Sequence, residues 1–500
     1  MTFPSSPRFK SPPAPTVGGR ADKVNEAPGH VWTGFGAEKG KDYNPVMSRF
    51  PVLGFLAAPL SALVFLGGCA GGSFFGSDGN ETSAVQSAGA RQLVVGDEPF
   101  AVRTAAQLLA QGGSAADAAT AMFFALSVTY PVAAGLGGGG ICIARDAAGG
   151  LTEFDFLPRA ANRGGAYAVP AAVRGFQELQ RRFGALPWQR TVSGAEALAD
   201  AGVPISEALS ARLQGTEGIV RLDAALASQF LDESGQLKRA GTSMRNPALA
   251  RTLGVVRQEG AEGFTARIGA QITAYAAGQG GAIGADDLAA VVVRQVQPAR
   301  RTLGQFTVAY PNTGTGAGAF AAALLSGVAN AGAANANAAG VASARAALAS
   351  FNATSIPADF GSTGFAVVDN QGAAVSCAVT LNGPFGAGRT VTDTGMQLAA
   401  APSGPSGLAS AFLMPVIAAG DGYTFVGAAA GGPNGSAALA GALVRMARGA
   451  RLSAPGDLQG SGAAPKDTIN VIACQDSCVA LTDPGGAGLG ATGDRPVLSQ

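Results

Sequence analysis

Apolar residues in the stretch Pro99–Ala110 recur with the period of a helix, so that Val102, Ala105, Ala106 and Leu109 share one face. Gly112-Gly113 stop that helix, and Ser114 is placed to cap a second over residues 115–128. The second is apolar nearly all round, which predicts burial. The period then changes. After Gly135-Leu-Gly-Gly-Gly-Gly140 come a short strand over 141–145, a turn over 147–150 and a second strand, Leu151–Phe156. Residues 170–300 read as several helices separated by turn residues, and 318–349, rich in Ala, Asn and Gly, as helix broken by a loop. From Phe365 the pattern is that of strands again. Phe365-Ala-Val-Val-Asp, a turn at Asn370-Gln-Gly and a run over 373–381 form one hairpin. Residues 413–419 and 423–428, joined by Asp421-Gly422, form another, and residues 431–435 then open a helix over 436–448. Helices, hairpins and helices again predict layered α+β packing.

The glycine run after the second helix does not suit a phosphate. No Gly-Lys-Ser/Thr follows it, and the order is helix, glycines, strand rather than strand, glycines, helix. Close backbone packing is the reading it supports.

The N-terminal segment has a different texture. Residues 1–46 are polar and Pro-rich with no apolar period, and read as an over-called start. Met47-Ser-Arg-Phe then opens a short basic region, an apolar run follows over 51–66, and Leu66-Gly67-Gly68-Cys69 closes it with small residues before a cysteine. Pro59, the shortness of the run and the glycines after it argue against a membrane span. The pattern resembles a bacterial lipoprotein signal over 47–68, which implies cleavage before Cys69, acylation of that cysteine and a membrane reached through a lipid anchor. Ala70 rather than Asp after the cysteine implies the periplasmic face of the outer membrane. Residues 69–94 are then a lipidated tether, polar over 82–92.

Composition sharpens the chemistry. The 500 residues include 74 glycines, 28 prolines and one histidine, and aromatic residues make up only 7%. The core must therefore be built mostly from Ala, Val and Leu. Residues 1–46 hold the single histidine, His30, together with six basic and four acidic residues, leaving 28 basic and 29 acidic downstream. That balance offers no basic stripe for nucleic acid. A chain without histidine has no Ser-His-Asp or Cys-His triad, no histidine zinc site and no imidazole base. Lysine remains only at Lys238 and Lys466. Of the cysteines after Cys69, the spacing of Cys474 and Cys478 allows a small structural bridge, while Cys142 and Cys377 are left unassigned.

A hydrolase lacking histidine can use the first residue of a chain as nucleophile, its own α-amine acting as base near neutral pH. Gly361-Ser362-Thr363-Gly364, directly before the strand at Phe365, offers such a hydroxyl pair, although Ser-Thr at a strand start also serves as a simple turn or cap. Here the chain resembles the γ-glutamyltranspeptidase family over nearly all of 95–490. The likeness is carried by Gly112-Gly-Ser-Ala-Ala-Asp-Ala-Ala119, Pro131 with the run 135–140, Asp155-Phe156, Phe183-Gly-Ala-Leu-Pro-Trp188, Arg245-Asn-Pro-Ala-Leu-Ala-Arg-Thr-Leu253 and Asp287-Leu288. Further on it rests on Val367-Val-Asp-x-x-Gly372, Thr380-Leu-Asn382, Phe385-Gly386, Gly388 and Asp483-Pro484. In this order the pieces are specific.

The resemblance implies an N-terminal-nucleophile hydrolase fold, an αββα sandwich, cut from one precursor into a large subunit over 95–361 and a small one over 362–500. It places the nucleophile at Ser362 with Thr363 beside it, its hydroxyl partner at Thr380, a substrate contact at Asn382 and the oxyanion donors at Gly431 and Gly432. A small-molecule amide or peptide substrate is expected, with no cofactor and no metal. The family's carboxylate-binding arginine falls on Leu157, with Arg159 two residues on as a candidate substitute. Its acidic amine ligand falls near Ser403-Gly404 and the neighbouring glutamine on Ala401, its paired serines become Ala411-Phe412, and its motif histidine becomes Gly364. The catalytic frame is thus partly kept while the glutamyl pocket is altered. An uncut chain of the same fold would instead be a non-catalytic envelope lipoprotein with a binding or structural role.

Overall fold

In the computed structural model, two seven-stranded antiparallel sheets lie face to face with helices on both outer sides. The structure describes residues 84–87, 92–312, 316–420, 422–458 and 466–493, all within the unit Ser77–Gln500. The expected extension 1–46, the signal over 47–68 and Cys69 lie outside the described residues.

The strands are β1 (Ala84–Ser87), β2 (Leu93–Gly96), β3 (Gly139–Arg145), β4 (Leu151–Phe156), β5 (Arg294–Val296), β6 (Ala299–Leu303), β7 (Phe306–Tyr310), β8 (Ser362–Val368), β9 (Ala374–Thr380), β10 (Met414–Gly420), β11 (Tyr423–Ala430), β12 (Thr468–Cys474), β13 (Cys478–Thr482) and β14 (Leu489–Thr492). The first sheet runs β1-β13-β12-β11-β10-β7-β6 and the second β14-β2-β8-β9-β3-β4-β5. Each sheet therefore contains strands from both before and after Ser362. The tether expected over 82–92 contains β1, whose backbone pairs with β13 and covers that sheet edge.

Alternation along β8 explains the layering. Phe365 and Val367 face the helices, where Phe365 stacks on Phe176, while Ala366 and Val368 join the core between the sheets. That inner core includes Val95, Ile143, Ile417, Val426 and Ile472. It is thin at one end: a Cβ on Gly364 would come within 2.9 Å of the Ala428 Cβ, so the histidine that the family carries at Gly364 has no room between these sheets.

Helices α1 (Pro99–Ala110), α2 (Ala115–Thr129) and α3 (Ala172–Phe183) cover the second sheet. Every residue of α2 is buried, as its all-round apolarity predicts, and Ser114 and Asp117 form the expected N-terminal cap as a reciprocal box. On the other side α4 (Ala317–Ala331), α5 (Ala336–Ser350) and α6 (Pro433–Ala447) cover the first sheet. Two boundaries differ from the sequence reading by three residues. β8 starts at Ser362 rather than Phe365, because Ser362 pairs with Thr380 and extends the ladder. α6 starts at Pro433 rather than residue 436, proline being well suited to the first turn.

Cys474 and Cys478 are bridged at the β12–β13 hairpin. A second disulfide, Cys142–Cys377, joins directly opposed residues of β3 and β9 with both side chains fully buried. Its partners lie 235 residues apart, and only the sheet order brings them together.

Glu153 on β4 is wholly buried, and one of its oxygens accepts the Asn312 backbone N–H at 2.6 Å. Burial, aided by nearby Asp155, pushes its carboxyl up from 4.5 to about 7 against the opposing pull of the Asn312 N–H and Arg294. A carboxyl raised in the folded state favours folding most below pH 4.5, and that contribution is lost as pH rises through 7. Glu153→Gln should therefore stabilise the fold at pH 8, by on the order of 2–3 kcal/mol, and do little at pH 4.5. Equal changes in melting temperature at the two pH values would contradict this assignment.

Candidate active site

Ser362 is the first residue of β8 and is fully buried. It sits opposite Thr380, the last residue of β9, and its Oγ donates to Thr380 Oγ1 at 2.8 Å and reaches the Phe360 carbonyl at 3.2 Å. The Thr380 hydroxyl also accepts the Asn382 backbone N–H at 2.9 Å. Sheet alternation sends Thr363 to the opposite face, where its hydroxyl donates to Asp97. Asn470 Nδ2 donates both to Asp97, at 2.7 Å, and to the Gly364 carbonyl, at 2.9 Å. Burial raises the Asp97 carboxyl pKa, opposed by the bonds from Thr363 and Asn470 and by the charge of Arg212. The two adjacent hydroxyls thus have different settings: Ser362 faces a neutral hydroxyl between the sheets, and Thr363 faces a buried acid.

The peptide joining Gly361 to Ser362 is held from several sides. Gly361 has φ +56, and a Cβ there would stand 1.8 Å from the Gly383 carbonyl oxygen, so only glycine fits. Its own carbonyl accepts the Leu381 backbone N–H at 2.9 Å and lies 3.4 Å from Thr380 Oγ1. Hydrogen bonds of this kind polarise a carbonyl.

Gly431 and Gly432 link β11 to α6. Gly431 has φ +87, and a Cβ on it would collide with the Lys466 carbonyl at 1.6 Å. Beside them, burial lifts Asp467 to about 6 against the opposing effects of Asn434 and Arg212. Asn382 adopts φ +60, and its Nδ2 donates to the Ala400 carbonyl at 2.9 Å. Its Oδ1 is buried without a hydrogen-bond partner, leaving an acceptor beside Thr380.

Leu157 packs in a small buried cluster with Ile141, Ala317, Ala378, Leu413 and Ala430, of which Ala430 directly precedes Gly431. Phe412 packs edge-on against Phe360 and Phe320, with ring centres 5.4 and 5.0 Å apart. Arg159 is half exposed and ion-paired to Asp155 at 2.8 Å. With Leu157, Asn162, Asp287 and Arg294 it lines a cavity of about 280 Å³. Ser362, Thr380 and Asn382 are brought together, while Arg159 is committed to the buried Asp155 carboxylate. Sequence reasoning missed Asp97, Asp359 and Arg212. An arginine on a short helix reads as solvated, and nothing local marks it as the largest fully buried side chain among the described residues.

The γ-glutamyltranspeptidase family model matches residues 101–348. Among curated relatives, the chain is 30% identical over 242 residues to the acylase ACY 1 proenzyme of Pseudomonas sp. strain SE83, covering 43% of each. It is 30% identical over 191 residues to the glutathione hydrolase proenzyme of Pseudomonas aeruginosa, covering 34% of this chain and 33% of the relative. The alignments thus span less than half the length of these relatives. Among solved structures, the cephalosporin acylase from Bacillus halodurans superposes with a TM-score of 0.65 at 18% identity, over 84% of this chain and 98% of that one. The αββα sandwich is that of the N-terminal-nucleophile hydrolases, and the chain belongs to the γ-glutamyltranspeptidase family.

Proposed function

We propose that this protein is a self-processing amide hydrolase or acyltransferase whose nucleophile is Ser362, released as a chain start by cleavage of the Gly361–Ser362 bond. The observation that carries this reading is the contact of Ser362 Oγ with Thr380 Oγ1, beside a Gly361 carbonyl already bonded to the Leu381 N–H. In turnover the Ser362 α-amine takes the hydroxyl proton, the Ser362 oxygen attacks the substrate carbonyl, and Gly431 and Gly432 hold the oxyanion. Water or an amine then resolves the acyl-enzyme. The partner of Thr363, a buried acid, favours Ser362 over Thr363 for this role.

The acyl group is less polar than a γ-glutamyl head. The resemblance puts Leu157, which lies among apolar neighbours, at the position of the family's carboxylate-binding arginine, and puts Phe412, which packs on Phe360, at one of its paired serines. Asn382 Oδ1 remains as an acceptor for a substrate N–H. Relatives named both as acylases and as glutathione hydrolases are compatible with this shift. Export and lipid anchoring through Cys69, on the periplasmic face of the outer membrane, form part of the proposal. Two disulfides suit an oxidising compartment. Among the described residues, no helix is long and apolar enough to cross a membrane.

The test is to run the protein reduced and denatured beside Ser362→Ala, then to assay the wild type on acyl anilides. Wild type should give two fragments, the smaller beginning at Ser362, and the variant one. Simple apolar acyl anilides should be cleaved faster than γ-glutamyl anilide. An intact wild-type band would leave the non-catalytic lipoprotein reading in its place.

A further inference from the structure

Arg212 lies on a short helix, Glu207–Leu213, in the part of the chain before Ser362, and its side chain has no solvent exposure. Its Nε and Nη2 donate to the two Asp359 oxygens at 2.9 and 2.7 Å, a bidentate pair. Nη2 also donates to the Ser362 carbonyl at 3.2 Å, and Nη1 to the Lys466 carbonyl at 3.4 Å, beside Gly431. The guanidinium lies 5.9 Å from the centre of the Tyr130 ring. Burial opposes its charge, but Asp359, Tyr130 and Asp97 together outweigh that cost and keep it protonated.

Asp359 has a second task. The oxygen that meets Nη2 also accepts the Gly361 backbone N–H at 2.7 Å. One ion pair therefore grips the chain on both sides of the Gly361–Ser362 bond, at the amide two atoms before the Gly361 carbonyl carbon and at the Ser362 carbonyl after it. Between these grips Gly361 is kept at φ +56 with its carbonyl on the Leu381 N–H. Phe360, packed on Phe412, fixes the preceding side chain. A free chain at this point would sample many conformations, and the brace selects one with the hydroxyl and carbonyl neighbours.

We propose that the Arg212–Asp359 pair is the positioning device for self-cleavage, holding the Gly361–Ser362 peptide in its reactive conformation. The inference rests on the self-processing reading above. In the step it prepares, Ser362 Oγ bonds to the Gly361 carbonyl carbon, the Gly361–Ser362 C–N bond breaks, and the hydroxyl proton passes to the departing nitrogen, leaving an ester and a free α-amine. Water then hydrolyses the ester, returning a proton to Oγ and leaving Gly361 with a carboxylate. Arg212 bonds to the Asp359 carboxylate and to the Ser362 carbonyl. It acts through the placement of the two residues on either side.

The test follows cleavage over time in the full-length protein, with wild type, Arg212→Lys, Arg212→Ala and Asp359→Asn compared on reducing denaturing gels and by thermal melting. Lysine keeps the charge without the fork, so Arg212→Lys should slow cleavage at least tenfold. Arg212→Ala should remain uncut, and added guanidinium should restore its cleavage. Asp359→Asn keeps an acceptor for the Gly361 N–H but leaves the buried Arg212 charge unbalanced, so it should both slow cleavage and lower the melting temperature. Hydroxylamine should release no extra fragment from the slow variants, because the fault precedes the ester. Variants cleaved at the wild-type rate, slowing that guanidinium does not relieve and that follows only the loss in melting temperature, or an accumulated hydroxylamine-sensitive ester would each overturn the proposal. If the wild type itself stays whole, the self-processing reading falls and takes this one with it; cleavage of the wild type with unaffected variants removes this one alone.

Discussion

Run without reductant, the cleaved protein should migrate as one species, and with reductant it should separate into two. The Cys142–Cys377 disulfide joins β3, before Ser362, to β9, after it, so a cut at Gly361–Ser362 leaves the two products covalently joined. Both cysteines are fully buried, which protects the bond from exchange with small thiols unless the protein unfolds. Cys142→Ser should give two bands with or without reductant while still being cut. It should also lower stability by roughly 2–4 kcal/mol, the usual worth of a cross-link between distant residues. The Cys474–Cys478 bridge cannot mask this result, because both of its residues lie on the same product. Two bands from wild type before reduction would show that the buried pair does not form.

Gly361→Ala should block self-cleavage. The added methyl would stand 1.8 Å from the Gly383 carbonyl oxygen and 2.2 Å from its carbon, both backbone atoms that cannot swing aside. An alanine at φ +56 also carries a conformational cost of roughly 1–2 kcal/mol. Relieving the clash requires Gly361 or the Gly383–Pro384 segment to move, which draws the Gly361 carbonyl off the Leu381 N–H. A shift of one ångström at a reacting centre is enough for about a 100-fold loss, equivalent to about 2.7 kcal/mol in the barrier. The rate of appearance of the Ser362 fragment measures it. Cleavage within threefold of the wild-type rate would show that the left-handed conformation is dispensable.

Much of the architecture was legible because the local signals agreed with one another. The capping serine of α2, its all-round apolarity and the hairpin turns at Asn370-Gln-Gly and Asp421-Gly422 all point to the elements observed. Short strands such as Leu93–Gly96 were not foreseen, since four apolar residues carry no period of their own and become a strand only between two partners. At the site, Ser362, Thr380 and Asn382 could be named because the resemblance to the family covers the hairpin that carries them. Arg212, Asp359 and Asp97 could not, because their meaning comes from contacts across 147 residues between Arg212 and Asp359 and 266 between Asp97 and Thr363. The Cys142–Cys377 bond was hidden for the same reason. Burial of a charged side chain is a property of the assembled layers rather than of its neighbours in sequence.

The mixing in each sheet of strands from both sides of Ser362 has a consequence for any cut made at Gly361. Leu93–Gly96 is hydrogen-bonded on one side to Leu489–Thr492 and on the other to Ser362–Val368. Phe306–Tyr310 pairs with Met414–Gly420 in the other sheet, and Ala84–Ser87 with Cys478–Thr482. Neither polypeptide alone would own a finished sheet or a closed core, so the halves have no separately folded state to dissociate into. Dilution would not part them, and losing one half would mean unravelling the other.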